Sequence, residues 1–191
     1  MREPRDAFLF RGTEYQYFHH KYNTTWDNER CVEVPIVRSR MIAGRVLEVG
    51  NVLSHYGPVE HTVIDKYEKG DGVINVDLFD FKPAEKFDLI ISISTFEHIG
   101  YDEPPRPLGG PREAVAHALS LISVGGWLIF TIPIGYNRFM DQFLRESSGV
   151  SYMRRTGQRE WVECGPGALE ASYGKPFPCA NAIAIYQGQN S

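Results

Sequence analysis

The sequence predicts an α/β fold: a doubly wound, mostly parallel sheet of seven strands whose last two form an antiparallel pair. Three observations predict it. Five short runs rich in Val and Ile, at residues 45–49, 61–65, 72–77, 87–94 and 127–133, are apolar almost without a break, as strands covered on both faces are. Helical periodicity falls between and around these runs rather than in a block of its own. Two further strand-like stretches, 150–164 and 181–188, come only at the end of the chain, and mixed sheets commonly add antiparallel strands to a parallel core.

Taken in order, residues 1–27 are aromatic and polar, with Tyr15, Tyr17, Phe18, Tyr22 and Trp26 but no clean period. They are expected to form an ordered lid or flap on an α/β domain spanning 28–191. A helix is expected over 35–42, opened by Pro35 and closed by Gly44, because proline suits a first helical turn and glycine the position past the end. The intervals 51–60 and 66–71 leave room for one or two helical turns between strands. Residues 111–123 carry Val115, Ala118, Leu119 and Ile122 on one helical face, with Pro111 at the start and Gly125–Gly126 beyond the end. Residues 137–146 place Phe139, Met140, Phe143 and Leu144 on one side, with Asn137 as N-cap.

The 191 residues suit one compact domain of roughly 100–200 residues. Hydrophobic residues are 42% and charged residues 23% of the chain, enough apolar material to exclude general disorder. Twenty Lys and Arg against 24 Asp and Glu leave a net charge of −4. A protein that holds a polyanion by charge alone shows the opposite balance, so nucleic acid is not an expected partner. Cys31, Cys164 and Cys179 form an odd set without a CxxC pair, which argues against a disulfide framework or a zinc knuckle. His19–His20 has no Cys or Asp at zinc-like spacing, so no metal site is expected. No apolar run approaches the ~20 residues of a membrane span, and the start of the chain does not read as a secretory signal. The expectation is a cytoplasmic protein with a small-molecule substrate, no membrane partner, and an oligomeric state left open.

In an open α/β sheet, ligands bind at the carboxyl ends of the strands. Those ends carry Glu48 and Gly50, then Asp65, then Asp77 with Leu78 and Phe79, then residues 94–98, then 134–136. Three carboxylates along one sheet edge would repel one another; a ligand with hydroxyls and positive charge accounts for them. The segments VLEVG (46–50), VIDKYE (63–68), NVDLFDF (75–81), FDLIISISTFEHIG (87–100) and GGWLIFTIPIGYN (125–137) together resemble class I S-adenosylmethionine-dependent methyltransferases of the small-molecule branch, over about half the chain. The resemblance implies a Rossmann-like fold, S-adenosylmethionine as cofactor, and methyl transfer to a small polar acceptor such as a sugar or sugar nucleotide. It implies that Glu48, Gly50 and Asn51 meet the methionine part of the cofactor and that Asp65 binds the ribose hydroxyls. Asp77 and Leu78 would hold the adenine, Ser94, Thr95 and Phe96 would form the floor beneath the sulfonium, and NERCVEVP (28–35) would shape the entrance.

The chain departs from the family pattern E/D-x-G-x-G-x-G. Here the loop reads Glu48-Val49-Gly50-Asn51-Val52-Leu53-Ser54, with one glycine. S-adenosylmethionine has no pyrophosphate to cradle, so one glycine suffices if Asn51 adopts an unusual backbone angle. The alternative is a methyltransferase-like binding or scaffold protein without catalysis. A nicotinamide-dependent oxidoreductase is excluded, because no GxGxxG follows the first strand. His98 is the candidate general base after the fourth strand, since imidazole titrates near neutrality. Glu97 beside it either orients the ring or faces solvent.

Overall fold

The computed structural model describes residues 6–23, 28–102, 110–157 and 159–190. A two-stranded hairpin, β1 (Ala7–Phe10) and β2 (Thr13–Gln16), precedes the first helix, α1 (Arg30–Arg38). The alternating part follows: β3 (Val46–Val49), β4 (Thr62–Asp65), β5 (Val73–Asn75), β6 (Phe87–Ile93), α2 (Pro111–Ser120), β7 (Ile122–Pro133) and α3 (Arg138–Glu146). The chain closes with β8 (Val150–Gly157), β9 (Glu160–Cys164) and β10 (Ala182–Gln189).

One sheet of eight strands runs in the order β5-β4-β3-β6-β7-β10-β8-β9. Strands β5, β4, β3, β6 and β7 are parallel, and β10 enters antiparallel between β7 and β8. The Rossmann-like class is as the sequence predicts, with one strand more. The stretch 150–164 folds as a hairpin, β8 pairing antiparallel with β9, so three late strands rather than two extend the parallel core. The strand order reverses between β3 and β6, and the crevice there is where such sheets bind ligands.

Two apolar layers cover the sheet. On one face α2 and α3 pack over Leu47, Val49, Ile64, Ile90, Leu128 and Phe130. On the other, Val34 and Val37 of α1 lie against Val46, Leu89, Ile91 and Ile129. The hairpin shares that second face: Phe8, Phe10 and Tyr17 are buried with Met153, Trp161, Ile183 and Ile185. Tyr17 Oη accepts the Trp161 N–H at 2.8 Å. Phe8, Phe10 and Tyr17 thus anchor residues 7–17 on the domain's core. The expected lid also takes in residues 1–5 and 24–27, which lie outside the described residues.

Several boundaries differ from the expected ones for physical reasons. Helix α1 begins five residues earlier than the expected 35, with Pro35 inside it. An internal proline deprives the carbonyl four residues back of its helical partner. That carbonyl, on Cys31, instead accepts the Phe18 N–H at 2.9 Å, so the N-terminal segment makes the proline tolerable. Helix α2 ends at Ser120, and Gly125–Gly126 falls within β7 rather than capping the helix. A Cβ at residue 126 would stand 2.8 Å from the Asp88 carbonyl oxygen, so glycine there admits the close approach of β6. Asn137 caps α3 as expected, its side chain accepting the N–H groups of Phe139 and Met140. The expected helical intervals after β3 and β4 contain only a 3-10 turn, Leu53–Tyr56, and bends. Among the described residues no helix is long and apolar enough to cross a membrane.

Candidate active site

A cavity of about 280 Å³ opens at the carboxyl ends of β3, β4, β5 and β6, near the lower end of small-molecule sites. Each strand end contributes to it. Gly50 and Asn51 follow β3, Asp65 ends β4 with Lys66 to Glu68 after it, Val76 to Leu78 follow β5, and Thr95, His98 and Ile99 follow β6. Tyr22 and Arg30 close it from the N-terminal side.

Gly50 has φ +87°, and a Cβ there would lie 2.1 Å from Thr95 Oγ1. The loop therefore needs a residue without a side chain, in a conformation L residues rarely take. The rest of the loop is held by Glu48. Its Oε1 accepts the N–H groups of Val52 (3.0 Å) and Leu53 (2.8 Å), and its Oε2 lies 2.7 Å from His61 Nε2. Glu48 is fully buried and does not line the cavity, so it stands behind the loop instead of meeting the methionine part of a ligand. The unusual non-glycine angle anticipated at Asn51 falls on Ser94, at φ 41°. With the loop's amides held by a buried carboxylate, one glycine makes the turn.

Asp65 organises the next wall. Its Oδ2 accepts the Asn51 N–H at 3.0 Å, and its Oδ1 accepts those of Tyr67 (2.9 Å) and Glu68 (2.7 Å). A carboxylate offers about four acceptor positions; three are taken, and one on Oδ2 is left for a hydroxyl. Asp77 Oδ1 accepts the Phe79 N–H at 2.9 Å, and its Oδ2 lies 3.3 Å from Lys66 Nζ. Leu78 and Ile64 supply apolar wall beside it.

Of the expected floor, only Thr95 faces the cavity. Ser94 is turned inward, its Oγ donating to Glu33 Oε1 at 2.8 Å. Phe96 is fully buried, edge-on to Phe130 at 5.1 Å. The left-handed angle at Ser94 ends the strand, and the turn that follows drives Phe96 into the α2 side of the core.

Behind this floor, residues of the 28–35 segment expected at the entrance meet Glu97. Glu29 and Glu33 of the 28–35 segment are buried with Glu97, and Arg30 Nη1 pairs with Glu33 Oε2 at 2.7 Å. Burial, then the charge of Glu33, pushes the Glu29 carboxyl up. Burial pushes Glu97 well above the ordinary carboxylate range, outweighing Arg30, with Glu33 adding to the rise. Glu97 is 1% exposed and its Oε2 has no hydrogen-bond partner among the described residues; it neither faces solvent nor lines the cavity. Burial of this kind favours the neutral form of a carboxyl.

His98 stands at the cavity mouth. Its Nδ1 is 2.7 Å from Asp102 Oδ2, and Tyr136 donates its hydroxyl to the same oxygen. The Tyr136 ring meets the imidazole edge to face at 4.9 Å. His98 Nε2 is 3.8 Å from Glu97 Oε1, beyond hydrogen-bond range. Sequence reasoning missed Arg30, Glu33 and Asp102 as individual residues. The spacing His98-x-x-x-Asp102 is the one signal that would have suggested the last. Among the described residues no cluster of His, Cys, Asp or Glu has the arrangement of a metal site.

No family model and no curated protein matches the chain. Solved structures similar to it include the N-methyltransferase NodS from Bradyrhizobium japonicum WM9 with S-adenosyl-L-homocysteine, at 15% identity over 78% of this chain and 79% of that one, with a TM-score of 0.49. A SAM-dependent methyltransferase from Thermotoga maritima is similar at 13% identity, covering 81% and 86% of the two chains, with a TM-score of 0.48. The plantazolicin methyltransferase BpumL, in complex with a triazolic desmethylPZN analog and SAH, is similar at 13% identity over 81% and 80%, with a TM-score of 0.43.

Proposed function

We propose that this chain is a cytoplasmic S-adenosylmethionine-dependent methyltransferase acting on a small polar acceptor. One observation carries the reading: a single cavity at the switch point of the sheet joins a glycine-pinched loop after β3 to carboxylates at the ends of β4 and β5. The residues present fit the cofactor's chemistry. Gly50 allows close approach of the loop, Asp65 keeps one acceptor position for a ribose hydroxyl, and Leu78 and Ile64 flank Asp77 where an adenine with its amino group would lie. Bound there, S-adenosylmethionine would supply a methyl group already activated by the positive sulfur. The protein's part is then chiefly to exclude water and align the acceptor.

In this reading Thr95 lies under the reacting end and His98 is the catalytic residue that touches the acceptor. Glu97 lies behind His98 in the interior, and Tyr22 covers the cavity from the N-terminal side. A sugar or sugar nucleotide is the acceptor proposed. Three free cysteines accord with a reducing compartment.

Thermal unfolding with S-adenosylhomocysteine tests the reading. Ligand at a hundred times its dissociation constant adds about 2.7 kcal/mol, or about 5–10 °C for a chain of this size. No shift at millimolar ligand would overturn it and leave the scaffold alternative.

A further inference from the structure

We propose that Asp102 and Tyr136 are positioning residues that fix His98 with its proton on Nδ1 and a free lone pair on Nε2, and that the methyl acceptor is accordingly a hydroxyl compound. The proposal rests on the methyl-transfer reading above for its chemistry, but its geometry is independent of it.

The chain's own residues set the tautomer. Asp102 Oδ2 lies 2.7 Å from His98 Nδ1. A carboxylate can only accept, so Nδ1 must carry the proton and Nε2 is left as acceptor. Tyr136 ties down the carboxylate. Its hydroxyl donates to the same oxygen and lies 3.3 Å from Nδ1, and its ring is held between those of His98 (4.9 Å), Tyr173 (5.2 Å) and Tyr101 (6.0 Å). Burial opposes ionisation of Asp102, but the hydrogen bonds from Tyr136 and His98 outweigh it, and the carboxyl stays below its ordinary range. Among the described residues, the titratable groups at the imidazole are thus Asp102 on its own loop, Tyr136 after β7 and Glu97 behind it, while Arg30 of α1 lines the same cavity.

The acceptor class follows from what such a base can do. A neutral amine attacks through a lone pair it already has and sheds its proton afterwards. A hydroxyl is a poor nucleophile until its proton leaves, so a positioned base accelerates the reaction itself. An ammonium group would also seek an uncommitted carboxylate at this end of the cavity. Of the described carboxylates at this end, Asp102 is engaged by His98 and Tyr136, and Glu97 is buried. In the transfer, the acceptor's O–H proton passes to His98 Nε2 as the oxygen bonds to the methyl carbon. The carbon–sulfur bond breaks with its electron pair left on sulfur. Asp102 stabilises the imidazolium until it returns the proton to water.

The first test needs no turnover. Nitrogen-15 NMR of the unliganded protein at pH 8 should show His98 with a protonated Nδ1 and a pyridine-like Nε2. Asp102→Asn, whose amide can donate to Nδ1, should invert that pattern, and Tyr136→Phe should leave it mixed. A wild-type Nε2–H tautomer, or one unchanged in Asp102→Asn, overturns the positioning role. The second test uses labelled S-adenosylmethionine with matched probes: methyl glucoside against glucosamine, and 4-nitrophenol against 4-nitroaniline. Methylation should favour the hydroxyl member of each pair. Asp102→Asn should lower kcat about 10²–10⁴-fold and flatten its rise with pH, while Tyr136→Phe should lower it up to about tenfold. Preference for the amines, or no methylated hydroxyl, overturns the acceptor class. Calorimetry with S-adenosylhomocysteine separates the two readings: failure of the wild type to bind defeats methyl transfer, whereas binding with the wrong tautomer defeats only this proposal.

Discussion

Replacing Gly50 with alanine tests the pinch on which the cavity depends. The residue sits at φ +87°, and the added methyl would stand 2.1 Å from Thr95 Oγ1, 2.7 Å from its Cγ2 and 2.9 Å from its Cβ. Placing an L side chain in left-handed backbone costs about 1–2 kcal/mol. Forcing one extra methyl into packed surroundings costs about 1–3 kcal/mol more. The expected loss is about 2–5 kcal/mol, seen as a urea midpoint earlier by about 1–2 M. Because Thr95 must move and both residues line the cavity, S-adenosylhomocysteine affinity should fall tenfold or more by calorimetry. Thr95→Ala removes two of the three close atoms, so the double variant should recover part of the packing loss but none of the backbone strain. A single variant within about 0.5 kcal/mol of wild type, or strictly additive effects in the double variant, would refute the reasoning.

Asp65→Ala should weaken S-adenosylhomocysteine tenfold or more by calorimetry and also destabilise the fold, since three backbone N–H groups lose their acceptor; unchanged affinity would remove Asp65 from the site. Glu48→Ala should cost about 3–5 kcal/mol in urea unfolding, the range for breaking a buried pair, because two loop amides and His61 lose their partner. Tyr17→Phe should cost about 1–3 kcal/mol by leaving the buried Trp161 N–H unpaired, with ligand affinity unchanged; a loss of affinity instead would make residues 7–17 part of the lid. Glu97 has a folded-state affinity for protons raised by burial, so the stability it confers is complete below the ordinary glutamate range and is lost as pH rises through its folded value. Glu97→Gln should therefore melt higher than wild type at alkaline pH and lose that advantage toward pH 5; parallel melting curves from pH 5 to 9 would contradict this.

Much of the fold was legible because strand covering and helix periodicity are local signals. The Val- and Ile-rich runs found β3, β4, β6 and the core of β7, and Asn137 marked the start of α3. Boundaries went astray where a distant partner decided them. Pro35 looks like a helix start until Phe18 is seen to use the carbonyl it frees. Gly125–Gly126 looks like a helix end until β6 is seen to press against it. The candidate site was legible to the same extent: Gly50, Asn51, Asp65, Asp77, Leu78, Thr95 and His98 line one cavity, whereas Glu48, Ser94, Phe96 and Glu97 point away from it.

The sequence by itself determined the order of strands and helices and which residues close each strand, because both depend on side-chain chemistry at fixed local spacing. It also determined that one glycine must serve the loop after β3. Only the tertiary structure decided which strand-end side chains face the cavity, because the backbone angle at Ser94 and the parity of β3 settle that residue by residue. Only the tertiary structure brought Glu29, Glu33 and Glu97 around one guanidinium and set Asp102 and Tyr136 on one imidazole nitrogen. Arg30–Glu33 and His98–Asp102 are local pairs, but Glu97 and Tyr136 reach them from segments 34 to 68 residues away, and no local spacing encodes a meeting that burial and the path of the sheet create.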